Sequence, residues 1–266
     1  MADLPGIRSR RNSKVQHVRR LLRSGRARRD AGQFVVEGVR LAEEALEAGL
    51  RPAWILFSDT IGTRGRAVVH AFEQLGVPVF AATPDVMRAS SATETPQGVL
   101  LVLPFPALHW PEKADFLLVL DSVRDPGNVG TMLRTAWAAG AQGVLLSSDC
   151  ADPFNPKVVR AGMGAHFYLP IRRTSWNILL PLLDNKARFL AAGREGIPYT
   201  DVDFQQPLAL IVGGEAHGAG PVARQVATQV VHIPLPGAAE SLNASVAAGV
   251  LMFEVVRQRS GVFIKG

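Results

Sequence analysis

The segment DFLLVLDS, residues 115–122, constrains the fold more than any other stretch of this chain. Its five consecutive large apolar residues, Phe116 to Leu120, show no polar alternation, so the segment is expected to be a strand covered on both faces, as in a parallel sheet. Parallel neighbours need crossover connections, and the flanking sequence has that form. Strand-like runs GVLLSS (143–148), ARFLAAG (187–193), LALIVGGE (208–215) and VVHIPLP (230–236) follow, mostly separated by helix-like stretches. The expectation for this half is an α/β domain.

The preceding residues form a second alternating series. QFVVEG, AWILFSD, VPVFAA and GVLLVLP are expected strands. VRLAEEALEAG and RAVVHAFEQLG are expected helices ended by Gly49 and Gly76, and PDVMRASS is a short helix. PFPALHWPEK, with Pro104, Pro106 and Pro111, suits neither element and is the expected linker. We therefore expect a smaller N-terminal α/β domain over residues 1–105, a linker over 106–114 and a larger domain over 115–266. The last helix, roughly Ser245 to Gln258, is apolar nearly all round and is expected to be buried in the core or against another subunit.

Charge is distributed unevenly. The chain carries a net +6, yet residues 1–30 alone hold ten basic residues against Asp3 and Asp30, leaving the remainder at −2. Such a cluster suits a polyphosphate backbone, where each contact releases counterions. An organelle transit peptide, with Val15, Val18, Leu21 and Leu22 as its apolar stripe, and a solvated tail are the competing readings. No apolar run reaches membrane-spanning length, and charge stands where a secretory signal would have its apolar segment. The single cysteine, Cys150, fits a reducing cytosol, and a cytoplasmic location is expected. Six scattered histidines show no ligand spacing, so no metal site is expected.

Three stretches carry chemistry. RDPGNVGTMLRTAWAAGA, from Arg124, has the look of a phosphate loop, but GxGxxG and the Walker Lys-Ser/Thr pair are both missing. What remains is a strand, a DPGN turn and a helix from about Asn128, its expected N-cap, to Ala139. Arg134 lies off the apolar stripe of Val129, Leu133, Ala136 and Trp137 and is either a surface arginine or aimed at the cleft outside the strand ends. LALIVGGEAHGAG is a buried strand breaking into a glycine-rich loop that holds Glu215. HIPLPGAAESLNASVAAGVLMFEVVRQ runs through Ser241 and Asn243, possible helix caps, into the last helix.

In this order the three resemble the motifs of the SpoU/TrmH family of RNA ribose methyltransferases, of the SPOUT class. The first is carried by Asn128, Gly130 and Arg134; the second by Gly213, Glu215 and Gly218; the third by Ile233, Pro234, Ser241, Leu242, Asn243, Ser245, Val246 and Ala247. The region SKVQHVRRLLRSGRARRDAGQFVVEGVRLAEEAL is similar to the N-terminal RNA-binding subdomain of rRNA-directed members. The resemblance implies a C-terminal trefoil-knotted α/β fold with a smaller L30e-like N-terminal domain. It also implies a homodimer through the C-terminal domain and methyl transfer from S-adenosyl-L-methionine to a ribose 2′-hydroxyl, with 23S-type rRNA favoured over tRNA. A non-catalytic RNA-binding assembly factor keeping the fold is the alternative of a different class.

By the same resemblance Arg134 is the principal catalytic residue, with Asn128, Glu215, Ser241 and Asn243 around the site. Gly213, Ile233 and Leu242 bind the cofactor, largely through backbone. RNA contact is expected from Arg8, Arg10, Arg11, Lys14, Arg19, Arg20, Arg28 and Arg29. A guanidinium stays protonated at ordinary pH, so Arg134 suits a grip on phosphate and developing alkoxide better than the role of base. One departure stands out: Ala216 occupies a position that is commonly glycine in the second motif, and a positive φ there would cost on the order of 1 kcal/mol.

Overall fold

The structure is a computed structural model that describes residues 6–58, 61–215 and 218–260. Ala216, and with it the question of its backbone conformation, lies outside the described residues. The chain forms two compact units, Met1–Ala107 with Phe154–Phe167, and Leu108–Pro153 with Tyr168–Gly266.

In the first unit, helices α1 (Ser13–Arg23) and α2 (Gly25–Ala31) precede β1 (Gln33–Glu37), α3 (Val39–Glu47), β2 (Trp54–Ser58), α4 (Thr63–Gln74), β3 (Val79–Ala82), α5 (Pro84–Ala89) and β4 (Val99–Pro104). The strands form one mixed sheet in the order β1-β4-β2-β3, in which only the β2–β3 pairing is parallel. Alternation along the strands builds a core on each face. Phe34, Val36, Val99, Leu101 and Leu103 point to one side, with Leu41, Val69 and Phe72; Val35, Leu100 and Val102 point to the other, with Val15, Val18 and Leu21 of α1. The basic first helix is thus an integral part of this core, started by the Asn12 side chain accepting from the Lys14 N–H at 2.9 Å.

The second unit contains β5 (Phe116–Asp121), α6 (Pro126–Ala138) and β6 (Gly143–Ser147). The chain then gives α7 (Pro156–Gly162) to the first unit before β7 (Ile171–Thr174), α8 (Trp176–Leu179), β8 (Ala187–Ala192), β9 (Ile197–Pro198), β10 (Leu208–Gly213), α9 (Pro221–Val226), β11 (Gln229–His232) and α10 (Ala244–Ser260). Its seven strands run in the order β7-β6-β5-β10-β8-β11-β9, and every pairing is parallel. β5 and β10 are buried at every residue, as the apolar runs required. The chain lays down β5, β6 and β7 toward one edge and β8 on the other side, and only later fills the middle with β10.

Two expectations need correction, and the open alternative for the last helix is narrowed. The larger unit is not continuous from residue 115, because Phe154 stacks on Phe105 with ring centroids 4.2 Å apart, and Val159 and Phe167 join the first unit's core. Asn128 is not the N-cap of α6. The helix starts one turn earlier, at Pro126, and the Asp125 carboxylate accepts the Asn128 N–H at 2.8 Å. α10 is not covered all round within the chain: Leu251, Met252 and Val255 are buried, whereas Val246, Val250 and Phe253, at i, i+4 and i+7, form an exposed apolar stripe.

Candidate active site

A cavity of about 600 Å³ opens at the carboxyl ends of β8, β10 and β11, on the side of a parallel sheet where ligands bind. Gly213, Ile233 and Leu242 line it, together with Leu190, Leu235 and Leu251, and Glu215, Ser241 and Asn243 stand in the same wall. The volume falls within the roughly 300–1,000 Å³ typical of small-molecule sites.

Glycine is required here for close approach. A Cβ on Gly213 would lie 2.2 Å from the Ala219 backbone nitrogen, and one on Gly214 would lie 2.4 Å from the Ser122 carbonyl oxygen. The loop after β10 therefore folds directly back on its own strand and against the end of β5. The Asp121 carboxylate, 3% exposed, holds it there: one oxygen accepts the Gly220 N–H at 2.7 Å and the other the Trp176 indole N–H at 3.0 Å. One buried carboxylate thus joins β5, α8 and the glycine loop, satisfying two donors that burial would otherwise strand.

The three motifs meet at Asn243. Its side-chain oxygen caps α10, accepting from the Ser245 N–H at 2.8 Å, the Ser245 hydroxyl at 2.6 Å and the Val246 N–H at 3.3 Å. That cap fixes which end of the amide faces outward. The amide nitrogen donates to the Asn128 side-chain oxygen at 3.2 Å and to the Glu215 carboxylate at 3.4 Å. A residue whose sequence context suggests a simple cap therefore has two functions, and Asn128, released from capping by Asp125, is free to accept.

Arg134 is not brought into this cluster. It is exposed on α6, lines neither this cavity nor a smaller one of about 260 Å³ between Ser122–Asp125 and Gly214, Glu215, Gly218 and Gly220, and makes no hydrogen bond or ion pair among the described residues. Its charge is available to a ligand from outside.

The basic N-terminal set divides. Arg8, Arg11, Arg20 and Arg29 are exposed and Arg19 is half-buried. Arg10 is exposed but paired with Asp85, which holds that carboxyl below its ordinary range. The Lys14 ammonium lies 4.4 Å from the Phe80 ring centroid and 5.2 Å from that of Trp54. Arg28 contradicts the expectation: it is 3% exposed and donates to the Leu21 carbonyl at 2.6 Å, so it ties α2 to α1 and is withheld from any RNA surface.

Several cavity residues escape the motif reading. Gly193, Arg194 and Glu195 follow β8, and Arg224 of α9 pairs with Glu195 at 3.1 Å beside the opening. The sequence does contain a signal for them: ARFLAAG is a strand breaking at glycine, and loops at the carboxyl ends of parallel strands form sites. Among the described residues no cluster of His, Cys, Asp and Glu is arranged to hold a metal, and no helix is long and apolar enough to cross a membrane.

Comparison with known proteins agrees with this geometry. Residues 115–253 match the SpoU rRNA Methylase family, and residues 12–101 match an MRM3-like substrate binding domain. The chain is 34% identical over 255 residues to the 23S rRNA (guanosine(2553)-2'-O)-methyltransferase RlmP of Bacillus subtilis, spanning 94% of this chain and 98% of the relative. It is 32% identical over 262 residues to the 23S rRNA (uridine(2479)-2'-O)-methyltransferase of Streptomyces viridochromogenes, over 94% of this chain and 91% of that one. Among solved structures, the SpoU methyltransferase AviRb from Streptomyces viridochromogenes, in complex with AdoMet, superposes with a TM-score of 0.86 at 30% identity, over 94% of this chain and 99% of that one. With its three motifs joined at one asparagine and both halves matched, this chain belongs to the SpoU rRNA methylase family.

Proposed function

We propose that this protein is an S-adenosylmethionine-dependent RNA methyltransferase acting on a ribose 2′-hydroxyl, with ribosomal RNA as its substrate class. The observation that carries the reading is the convergence at Asn243, which bridges Asn128 and Glu215 beside a cavity walled by Gly213, Ile233 and Leu242.

The residues present fit the cofactor. Leu190, Ile233, Leu235, Leu242 and Leu251 give apolar cover suited to an adenine ring, and the close-packed glycine loop exposes backbone groups beside it. When bound, the cofactor supplies an electrophilic methyl group on a sulfonium. The protein's task is then alignment and charge, because a ribose hydroxyl is a poor nucleophile. Asn128, Glu215, Ser241 and Asn243 orient the incoming ribose at the cavity rim. Arg134 grips the neighbouring phosphate and stabilises the alkoxide as the O–C bond forms and the S–C bond breaks. The hydroxyl proton passes to a phosphate oxygen or water, since the guanidinium has no site to accept it.

The α1–α2 surface, with Arg8, Arg11, Arg19, Arg20 and Arg29, supplies sequence-independent affinity for RNA. The stripe Val246, Val250 and Phe253 on α10 supports a homodimer through this domain, because contiguous apolar surface on a helix marks an interaction face. The all-parallel sheet, with β10 added late between β5 and β8, supports the α/β part of the knotted fold that the family resemblance implies. A ribosomal RNA substrate goes with the cytoplasmic location expected from the single cysteine.

The test is to incubate the protein with labelled S-adenosylmethionine and unmodified rRNA or tRNA, then map linkages that become resistant to alkali. Label on a ribose of rRNA is the expected result. Label on a base overturns the reaction type, label in tRNA alone overturns the substrate class, and no transfer with tight RNA binding favours the assembly factor.

A further inference from the structure

The second unit carries an exposed aromatic arrangement that the cofactor cavity does not use. Trp137 of α6 and Tyr168 stack face to face, with ring centroids 4.8 Å apart and planes 8° from parallel. The sequence places Trp137 on the apolar stripe of its helix, yet it is only half-buried, and Tyr168 is 38% exposed. Both rings therefore keep part of their surface in solvent.

A cation stands beside it. Trp137 lies three residues beyond Arg134, hence beside it on the helix surface and about 4.5 Å further along the axis. Tyr168 lies three residues before β7, the edge strand of the sheet, whose exposed Arg172 and Arg173 face opposite sides of that sheet. Arg172 in turn lies over the Trp110 ring at 4.7 Å. Aromatic faces interleaved with arginines are what single-stranded RNA selects, because bases stack while phosphates pair with the cations. An apolar protein partner would gain nothing from the exposed Arg134 beside the rings.

We propose that the Trp137–Tyr168 pair is a stacking platform for a base of the substrate RNA, next to the phosphate that Arg134 grips. Sequence-specific RNA recognition targets unstacked nucleotides, and stacking a base of that strand on the protein is a direct way to hold one beside the reacting ribose. The proposal rests on the reading of this chain as an RNA methyltransferase.

The experiment compares Trp137→Ala, Tyr168→Ala and Tyr168→Phe in the full chain, with unmodified 23S-type rRNA transcript as probe. It measures KM and direct binding for the RNA, S-adenosylmethionine affinity by calorimetry, and oligomeric state by sedimentation. Each alanine variant is expected to weaken RNA binding roughly 5- to 100-fold, the span of base–aromatic stacking, with cofactor affinity and oligomeric state unchanged. Tyr168→Phe, which keeps the ring, should recover most of what Tyr168→Ala loses. Unchanged RNA affinity in both alanine variants overturns the platform. So does a parallel loss of the oligomer, which would make the patch a subunit contact, or a Phe variant as weak as Ala, which would make the hydroxyl the active group. If the wild type binds the transcript but transfers no methyl group, the enzymatic reading fails, while the binding measurements still decide the platform.

Discussion

The two units use polar residues in opposite ways. In the first, charge lies on the outside of a conventional two-faced core: Arg8, Arg11, Arg20 and Arg29 are exposed, and among the described residues only Arg28 is drawn in, as a tie between α1 and α2. In the second, the important polar groups hold one another. Asp121 joins three segments, and Asn243 both caps α10 and bridges Asn128 and Glu215. Independent surface charges add up, and salt screens them. A shared hydrogen-bond cluster fails as a unit. Single substitutions should therefore have small, salt-dependent effects in the first unit and large, specific ones in the second.

The largest expected effect breaks that rule in part, because Arg134 belongs to the second unit yet stands alone. Arg134→Ala should lower the methylation rate by on the order of 100-fold or more, the scale for losing a donor to a developing oxyanion. Cofactor affinity, read by calorimetry, should be nearly unchanged, since Arg134 lines neither cavity. Near-normal turnover would sink the catalytic assignment. Next comes Gly213→Ala. Its Cβ would meet backbone of Ala219 and Gly218, which cannot rotate away, so the loop must shift at about 1–3 kcal/mol. That corresponds to roughly 5- to 150-fold weaker cofactor binding; an alanine variant with wild-type affinity would show that the loop does not shape the cavity.

The contrast within the first unit is sharpened by a pair. Arg28→Ala removes a buried donor to the Leu21 carbonyl and should cost about 1–3 kcal/mol of stability, visible as a lower Tm. Arg20→Ala should leave Tm unchanged while reducing the salt dependence of RNA binding by about one unit of slope. Equal effects of the two on Tm would erase the distinction between tie and surface charge.

The smallest effect concerns Glu254, buried on α10, whose carboxyl is held below its ordinary value by hydrogen bonds from Arg257 at 2.7 and 2.8 Å and from Gln258. A depressed folded-state pKa means that its stabilising contribution is present above the unfolded carboxylate range and is lost as pH falls through the folded value. Glu254→Gln should therefore lower Tm at neutral pH and flatten the acid side of the stability profile. An acid limb identical to that of the wild type would assign the pH dependence to other groups.

Much of this was legible before any coordinates. Strand and helix periodicity extends over fewer than about a dozen residues, so DFLLVLDS, LALIVGGE and the amphipathic α1 could be read directly from the sequence. Helix starts were less legible: Asn128 reads as the cap of α6, and only the fold of the turn gives that place to Asp125. Arg28 looked like its basic neighbours, since nothing local distinguishes a guanidinium that meets a carbonyl seven residues earlier from one that meets water.

The sequence by itself determined the elements, the uneven charge and the order of three motifs. The tertiary structure alone decided that Asn243 meets an asparagine 115 residues away and a glutamate 28 residues away, and that Asp121 holds a loop 99 residues downstream. Those pairings depend on β10 entering between β5 and β8, and strand order is a property of the closed core that no local window of sequence specifies.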